Sequence, residues 1–186
     1  MSFQIAARQR NQLAAEVTLT ASNSNNVVDQ IRDGAADLGF IEGPAAPRGL
    51  RRRVIGHDTL VLVARPDHPW SRRARTVTAA DLNKTPLVSR EDGSGTREAL
   101  THALRVALGD THPQALPVIA LSTTSAVRAA VLSGLAVADD IASGRLKSIP
   151  VTGVELGRTL RAIWSGPPTP PAGAVRDLLR HITARR

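Results

Sequence analysis

Two short, nearly unbroken apolar runs constrain this chain most: Leu38-Gly39-Phe40-Ile41, and Thr59–Ala64 (TLVLVA), its most apolar strand candidate. Neither alternates with polar residues, so neither offers a solvated face. A strand apolar on both faces belongs in a sheet covered on both sides by helices. The flanking residues agree. Before the first run, Ser22-Asn23-Ser24 caps a helix that carries Val27, Val28, Ile31 and Ala35 on one face. Asp37 leads into the run and Glu42-Gly43-Pro44 stops it, while Pro66 and Pro69 close the second run. Strands alternating with helices indicate a parallel or mixed sheet in an α/β domain.

The same alternation continues elsewhere. Ser2–Ala7 and the alternating Val17–Ala21 read as strands, with Gln9–Ala15 as a short helical piece between them. Ala45–Arg53 reads as a polar connection, and Thr78–Leu82 as one helical turn. Pro117–Leu121 (PVIAL) reads as a buried strand leading into the hydroxyl cluster Ser122-Thr123-Thr124-Ser125. A helix with Val127, Ala130 and Val131 facing inward is expected next. Ala138–Gly144 reads as a short helix, Leu146–Val151 and Thr159–Trp164 as strands, and Ala174–Thr183 as a closing amphipathic helix.

The stretch with most chemical content is Pro86–Leu100, PLVSREDGSGTREAL. A short strand passes through Gly93-Ser94-Gly95 into a helix with Leu100, Ala103, Leu104, Ala107 and Leu108 on one face. Strand, glycine turn and helix start together point unpartnered N–H groups, at the positive end of the helix dipole, toward an anion. Ser94 and Thr96 add hydroxyls. Capping of the helix by Ser94 or Thr96 is the competing reading. Arg97, a cation in a first turn where the dipole disfavours one, tips the balance toward a ligand. Thr123 and Thr124 form a second strand-to-helix corner, for which capping is again the alternative.

With 186 residues, 42% hydrophobic and 22% charged, the chain can bury a real core as one large domain or two small lobes. Cysteine is absent, which excludes disulfides and thiolate metal sites. The first residues, MSFQIAARQRNQ, lack the apolar core of a signal peptide, and no stretch has the apolar length of a membrane span; a cytoplasmic protein is expected. The net charge of +8 gathers at Arg48–Arg53, Arg72–Arg75 and Arg176–Arg186. Aromatic residues make up only 2% of the chain, so these clusters lack a stacking platform for single strands, and solvated basic faces are preferred over a nucleic-acid surface.

Catalytic chemistry is missing. The histidines have no metal-ligand spacing, and no nucleophile elbow, phosphate loop or dinucleotide fingerprint occurs. The adjacent acidic pairs Glu91-Asp92 and Asp139-Asp140 read as solvated surface. The chain reads as a binder, with no catalytic residue, metal or cofactor.

The order of these pieces resembles the effector-binding (regulatory) domain of LysR-type transcriptional regulators. The resemblance rests on Val27–Gly43 (VVDQIRDGAADLGFIEG), His57–Pro69 (HDTLVLVARPDHP), Leu87–Leu100, Ser122–Ala130, Ala142–Leu146 and Thr159–Trp164. It implies an α/β fold of two Rossmann-like lobes joined by two crossing strands, the type-2 periplasmic-binding-protein fold. The crossings map to about Thr59–Ala64 and Thr159–Trp164. Residues 1–57 with 165–186 would form lobe I, and residues 58–164 lobe II including the crossings. The resemblance further implies a small, anionic effector in the inter-lobe cleft, touched by Ser94, Gly95, Thr96, Arg97, Thr123 and Thr124, with Ile41 and Glu42 on the first-lobe side. It also implies a homodimer or tetramer, with DNA bound only through an N-terminal winged helix-turn-helix absent from this chain.

Two segments of the family pattern are shortened, one after Ala7 and one after Leu135, where the family has a turn, a buried strand and a serine. The alternatives are a transporter's solute-binding protein, which would need an export signal or anchor, and an enzyme on the same fold, which would need a catalytic constellation.

Overall fold

The structure is a computed structural model that describes residues 2–8, 16–72, 76–117, 119–121, 129–170 and 172–184. In chain order its elements begin with β1 (Ser2–Arg8), β2 (Glu16–Ser22), α1 (Ser24–Arg32), β3 (Leu38–Glu42), β4 (Arg51–Ala64), α2 (Pro69–Arg72), β5 (Val77–Thr78), α3 (Ala79–Lys84) and β6 (Val88–Arg90). They continue with α4 (Gly95–Leu108), β7 (Ile119–Leu121), β8 (Ala129–Ser133), α5 (Gly134–Ala142), β9 (Lys147–Ile149), β10 (Val151–Thr152), β11 (Gly157–Trp164) and α6 (Ala174–Ala184). These form two compact units: Met1–His57 with Thr159–Arg186, and Asp58–Arg158.

In the first unit the strands run in the order β2-β1-β3-β11, each antiparallel to its neighbour. Successive residues of a strand point to opposite faces, and both faces here are apolar. Ile41 and Ile163 pack with Val27 and Ile31 of α1 on one face. Leu38, Ala162 and Trp164 pack with Leu179 of α6 on the other. This explains the unbroken run Leu38–Ile41. Gly39 is part of the same packing, because a Cβ there would come within 2.6 Å of Val27 Cγ1. Helix α1 starts where the Asn23 side chain accepts from the Asn26 N–H at 2.9 Å.

In the second unit the buried half of β4 lies between β8 and β9, both antiparallel to it, and β6 joins β8 and β7 in parallel. Leu60, Leu62, Ala64, Ala129 and Val131 face a core shared with Leu82 of α3 and Leu100 and Leu104 of α4. Val63, Ala130 and Leu132 face the opposite core with Val137 of α5. The sheet is therefore mixed, with helices on both faces, as the apolar runs require. Each fully buried leucine among these contributes about 1.5–3 kcal/mol.

Three expectations differ from the structure. Ala129–Ser133 is a strand rather than part of a helix with Val127, Ala130 and Val131 inward; residues 122–128 lie outside those described. A continuous apolar run fits either element, and here its two faces serve two cores. This strand is buried along Ala129–Leu132 and ends in Ser133, just before Leu135. Strand β4 also begins at Arg51, not Thr59, because its first half is solvent-exposed and carries arginines that hide any apolar signal. Finally, Thr159–Trp164 groups with the first unit rather than the second, since Leu160–Ile163 pair with Glu42–Gly39 of β3. The helical piece expected at Gln9–Ala15 falls outside the described residues.

Candidate functional site

The N-terminus of α4 carries the proposed anion corner, and the sequence makes it in three steps. Strand β6 ends at Arg90; Gly93, at φ 78°, turns the chain through the left-handed region that only glycine adopts without strain; and Ser94 then opens the helix. The Ser94 carbonyl accepts the first helical bond, from Glu98 N–H at 3.0 Å. The N–H groups of Gly95, Thr96 and Arg97 have no partner within the helix.

Ser94 is at the N-cap position but its side chain makes no capping bond. It is only 3% exposed, and its hydroxyl has no hydrogen-bond partner among the described residues. The contrast with α3 is direct. There Thr78 Oγ1 accepts from Asp81 N–H at 3.1 Å, and Asp81 Oδ2 accepts from Thr78 N–H at 3.2 Å, a complete capping box.

Thr96 is 4% exposed, and its hydroxyl accepts from Arg158 Nη1 at 2.9 Å. Arg158 in turn donates to Asp58 Oδ2 from Nε at 2.9 Å and from Nη2 at 2.7 Å. Ser133 Oγ donates to the same oxygen at 2.7 Å and accepts from Ala136 N–H at 3.3 Å, capping α5. One buried network thus ties together β4, β11, α4 and the β8–α5 junction. Burial alone would raise the Asp58 carboxyl. The hydrogen bonds from Ser133 and Arg158, the Arg158 charge and the Thr59 amide outweigh it and hold the group below its ordinary value. Asp58 is therefore ionised at neutral pH and balances Arg158.

Arg97 is half-buried and pairs with the exposed Asp92 at 2.8 Å. It also lines a cavity of about 200 Å³ with Ser89, Leu100, Thr101 and Gln114. Glu91 is forked by Arg90 through bonds of 2.9 and 3.0 Å. Burial opposes its ionisation, but the Arg90 bonds, its own amide and the Arg90 charge keep its carboxyl below the usual range. Glu91 is a partly buried, paired group rather than simple solvated surface, whereas Asp92 is solvent-exposed as expected.

The second unit thus brings Ser94, Gly95, Thr96 and Arg97 into one turn, while Thr123 and Thr124 lie outside the described residues. In the first unit Ile41 is 5% exposed, with its side chain among the α1-facing core residues. Glu42 is 7% exposed at the end of β3, and its carbonyl accepts from Ser24 Oγ at 3.4 Å. Sequence reasoning missed Arg158, Asp58 and Ser133. The available signal was an acid and a cation at the edges of two apolar strands, but 100 residues separate them and no local spacing links them. Among the described residues no group of three or more His, Cys, Asp and Glu is placed to hold a metal ion. No helix among them is long and apolar enough to cross a membrane.

The family model of the LysR substrate binding domain matches residues 5–185. The chain belongs to that family. An uncharacterised HTH-type transcriptional regulator of Mycobacterium tuberculosis H37Rv is 51% identical over 193 residues, covering 100% of this chain and 62% of the relative. The HTH-type transcriptional regulator CbbR of Xanthobacter flavus is 29% identical over 164 residues, covering 86% of this chain and 49% of CbbR. Among solved structures, the Synechocystis PCC6803 CcmR regulatory domain in complex with 2-PG superposes with a TM-score of 0.70 at 19% identity, covering 88% of this chain and 80% of that one. The reduced form of OxyR gives 0.63 at 22% identity, covering 88% of this chain and 78% of that one. At these identities the structural likeness speaks for the fold: this LysR domain has the α/β fold of the regulatory domains. The chain spans 62% of the length of the mycobacterial relative. The LysR domain is an effector-binding module of a regulator family, not an enzyme.

Proposed function

We propose that this LysR domain senses a small anionic metabolite by holding its oxyanion group at the N-terminus of α4. The observation that carries the reading is the Ser94 hydroxyl, 3% exposed at the start of a 14-residue helix and with no partner among the described residues. A buried hydroxyl without a partner is costly, and a ligand oxygen would satisfy it. Gly95, Thr96 and Arg97 add N–H groups, and Thr96 adds a second hydroxyl. Every group directed at such a ligand is a donor, which fits a carboxylate, sulfate or phosphate. The CcmR regulatory domain in complex with 2-PG shares the fold.

In this reading the whole regulator is cytoplasmic and dimeric or tetrameric, and it binds DNA through a helix-turn-helix part of the kind its relatives are named for. Thr123 and Thr124 are proposed as further hydroxyl donors to the same ligand.

Titration calorimetry and thermal unfolding with sulfate, phosphate and a panel of small carboxylates test the site. Bound anion at 100 times its dissociation constant raises stability by about 2.7 kcal/mol. Absence of both heat and thermal shift across the panel would overturn the reading. Light scattering tests assembly, and a monomer at high micromolar concentration counts against the dimer.

A further inference from the structure

We infer that Arg158 is a positioning residue for anion recognition, one that turns the Thr96 hydroxyl into a dedicated donor. This rests on the anion reading above. A threonine hydroxyl has two acceptor sites and one proton. Arg158 Nη1 occupies an acceptor site of Thr96 Oγ1 at 2.9 Å, and Thr96 makes no other hydrogen bond among the described residues. Threonine within a helix can give its proton to the carbonyl four residues back. For Thr96 that residue is Asp92, which precedes the helix. The proton is therefore left for a ligand, beside the Ser94 hydroxyl and the helix N–H groups.

Arg158 is fixed for this task. Its Nε and Nη2 are both engaged by Asp58, and its side chain is 2% exposed. Only a planar guanidinium can hold a carboxylate with one edge and present another N–H to a hydroxyl; a lysine ammonium at this position is a point charge without the fork. Because Asp58 balances the charge, Arg158 contributes orientation rather than bare attraction. Loss of Arg158 should then cost affinity through Thr96 and not independently of it.

The test compares wild type, Thr96→Ser, Thr96→Val, Arg158→Lys and the Thr96→Val/Arg158→Lys double variant, with inorganic sulfate and inorganic phosphate as probes in calorimetry. Melting temperature is read in parallel. Thr96→Ser, which keeps the hydroxyl, is expected to bind as wild type does within a few-fold. Thr96→Val and Arg158→Lys should each weaken binding roughly tenfold to a hundredfold, the worth of one hydrogen bond to a charged group. The double variant should be no weaker than the worse single one. Arg158→Lys with wild-type affinity and a lowered melting temperature overturns the positioning role while leaving the anion site standing. Losses that multiply in the double variant overturn it too. Failure of wild type to bind either anion overturns the site reading and this inference together. Where Arg158→Lys does not fold, Asp58→Asn/Arg158→Gln removes both buried charges at once and is read in its place, with the same outcomes.

Discussion

Arg158 grips Asp58 by a single oxygen: Nε and Nη2 both converge on Oδ2, at 2.9 and 2.7 Å. Ser133 Oγ donates to that same oxygen at 2.7 Å. Three donors on one acceptor make a compact, charge-balanced knot, with side chains 2% and 3% exposed. The grip leaves Nη1 turned to Thr96.

Breaking the knot on one side should be far worse than removing it. Asp58→Ala leaves a buried guanidinium without its counter-charge, and a loss of about 3–5 kcal/mol in urea unfolding is expected. Replacing both partners by apolar residues of similar bulk, as in Asp58→Leu/Arg158→Met, should restore most of that stability. A double variant as unstable as Asp58→Ala would contradict this account.

The pH dependence has a definite sign. The Asp58 and Glu91 carboxyls sit below their ordinary values in the folded chain, so the unfolded chain binds more protons and stability rises with pH. Their contribution is complete above the unfolded carboxylate value, near about 4, and is lost as pH falls through the folded value. Urea unfolding between pH 6 and pH 2.5 should show a fall confined to the acid end. Asp58→Asn should flatten it; an unchanged acid slope counts against the ionised pair.

Two helix starts predict opposite behaviour. Thr78→Ala removes a complete capping box and should cost about 1 kcal/mol of stability. Ser94→Ala removes a buried hydroxyl that caps nothing, so folding stability without ligand should hold or rise while anion affinity falls. Paired denaturation and calorimetry on both variants check this, and a Ser94→Ala stability loss as large as that of Thr78→Ala would return Ser94 to a capping role.

Gly39→Ala should destabilise the first unit by about 1–3 kcal/mol through overpacking, because the new Cβ meets Val27 Cγ1 at 2.6 Å and Ile31 Cγ1 and Ile163 Cγ1 at 3.2 Å. Adding Val27→Ala opens that space, so the double variant should be more stable than the sum of the two single losses predicts. Strictly additive losses would show that the contact relaxes freely.

Much of this molecule could be read in advance because its cores announce themselves locally. Leu38–Ile41 and Leu60–Ala64 are apolar on both faces because helices cover both faces, and that requirement is written into consecutive residues. Ser94–Arg97 could be found for a similar reason: turn, cap position and hydroxyls fall within four residues. Ala129–Leu132 was misread because an apolar run of that length satisfies helical and extended periodicity alike. The first half of β4 stayed hidden because Arg51–Arg53 are exposed, so burial left no mark on its sequence. Arg158 and Asp58 were missed for a deeper reason. Their partnership is made only when β4 and β11 come together, and no spacing along the chain encodes it.

Asp58 and Arg158 are also the first and last residues of the second unit. Its chain therefore enters and leaves at a single spot, the two ends bridged by a 2.7 Å bond. A unit with adjoining ends is an insert in the genetic sense: it can be exchanged for another, or grafted elsewhere, without rerouting the chain on either side. Such a unit can be replaced whole, as one cassette, while the framework that carries it is left alone.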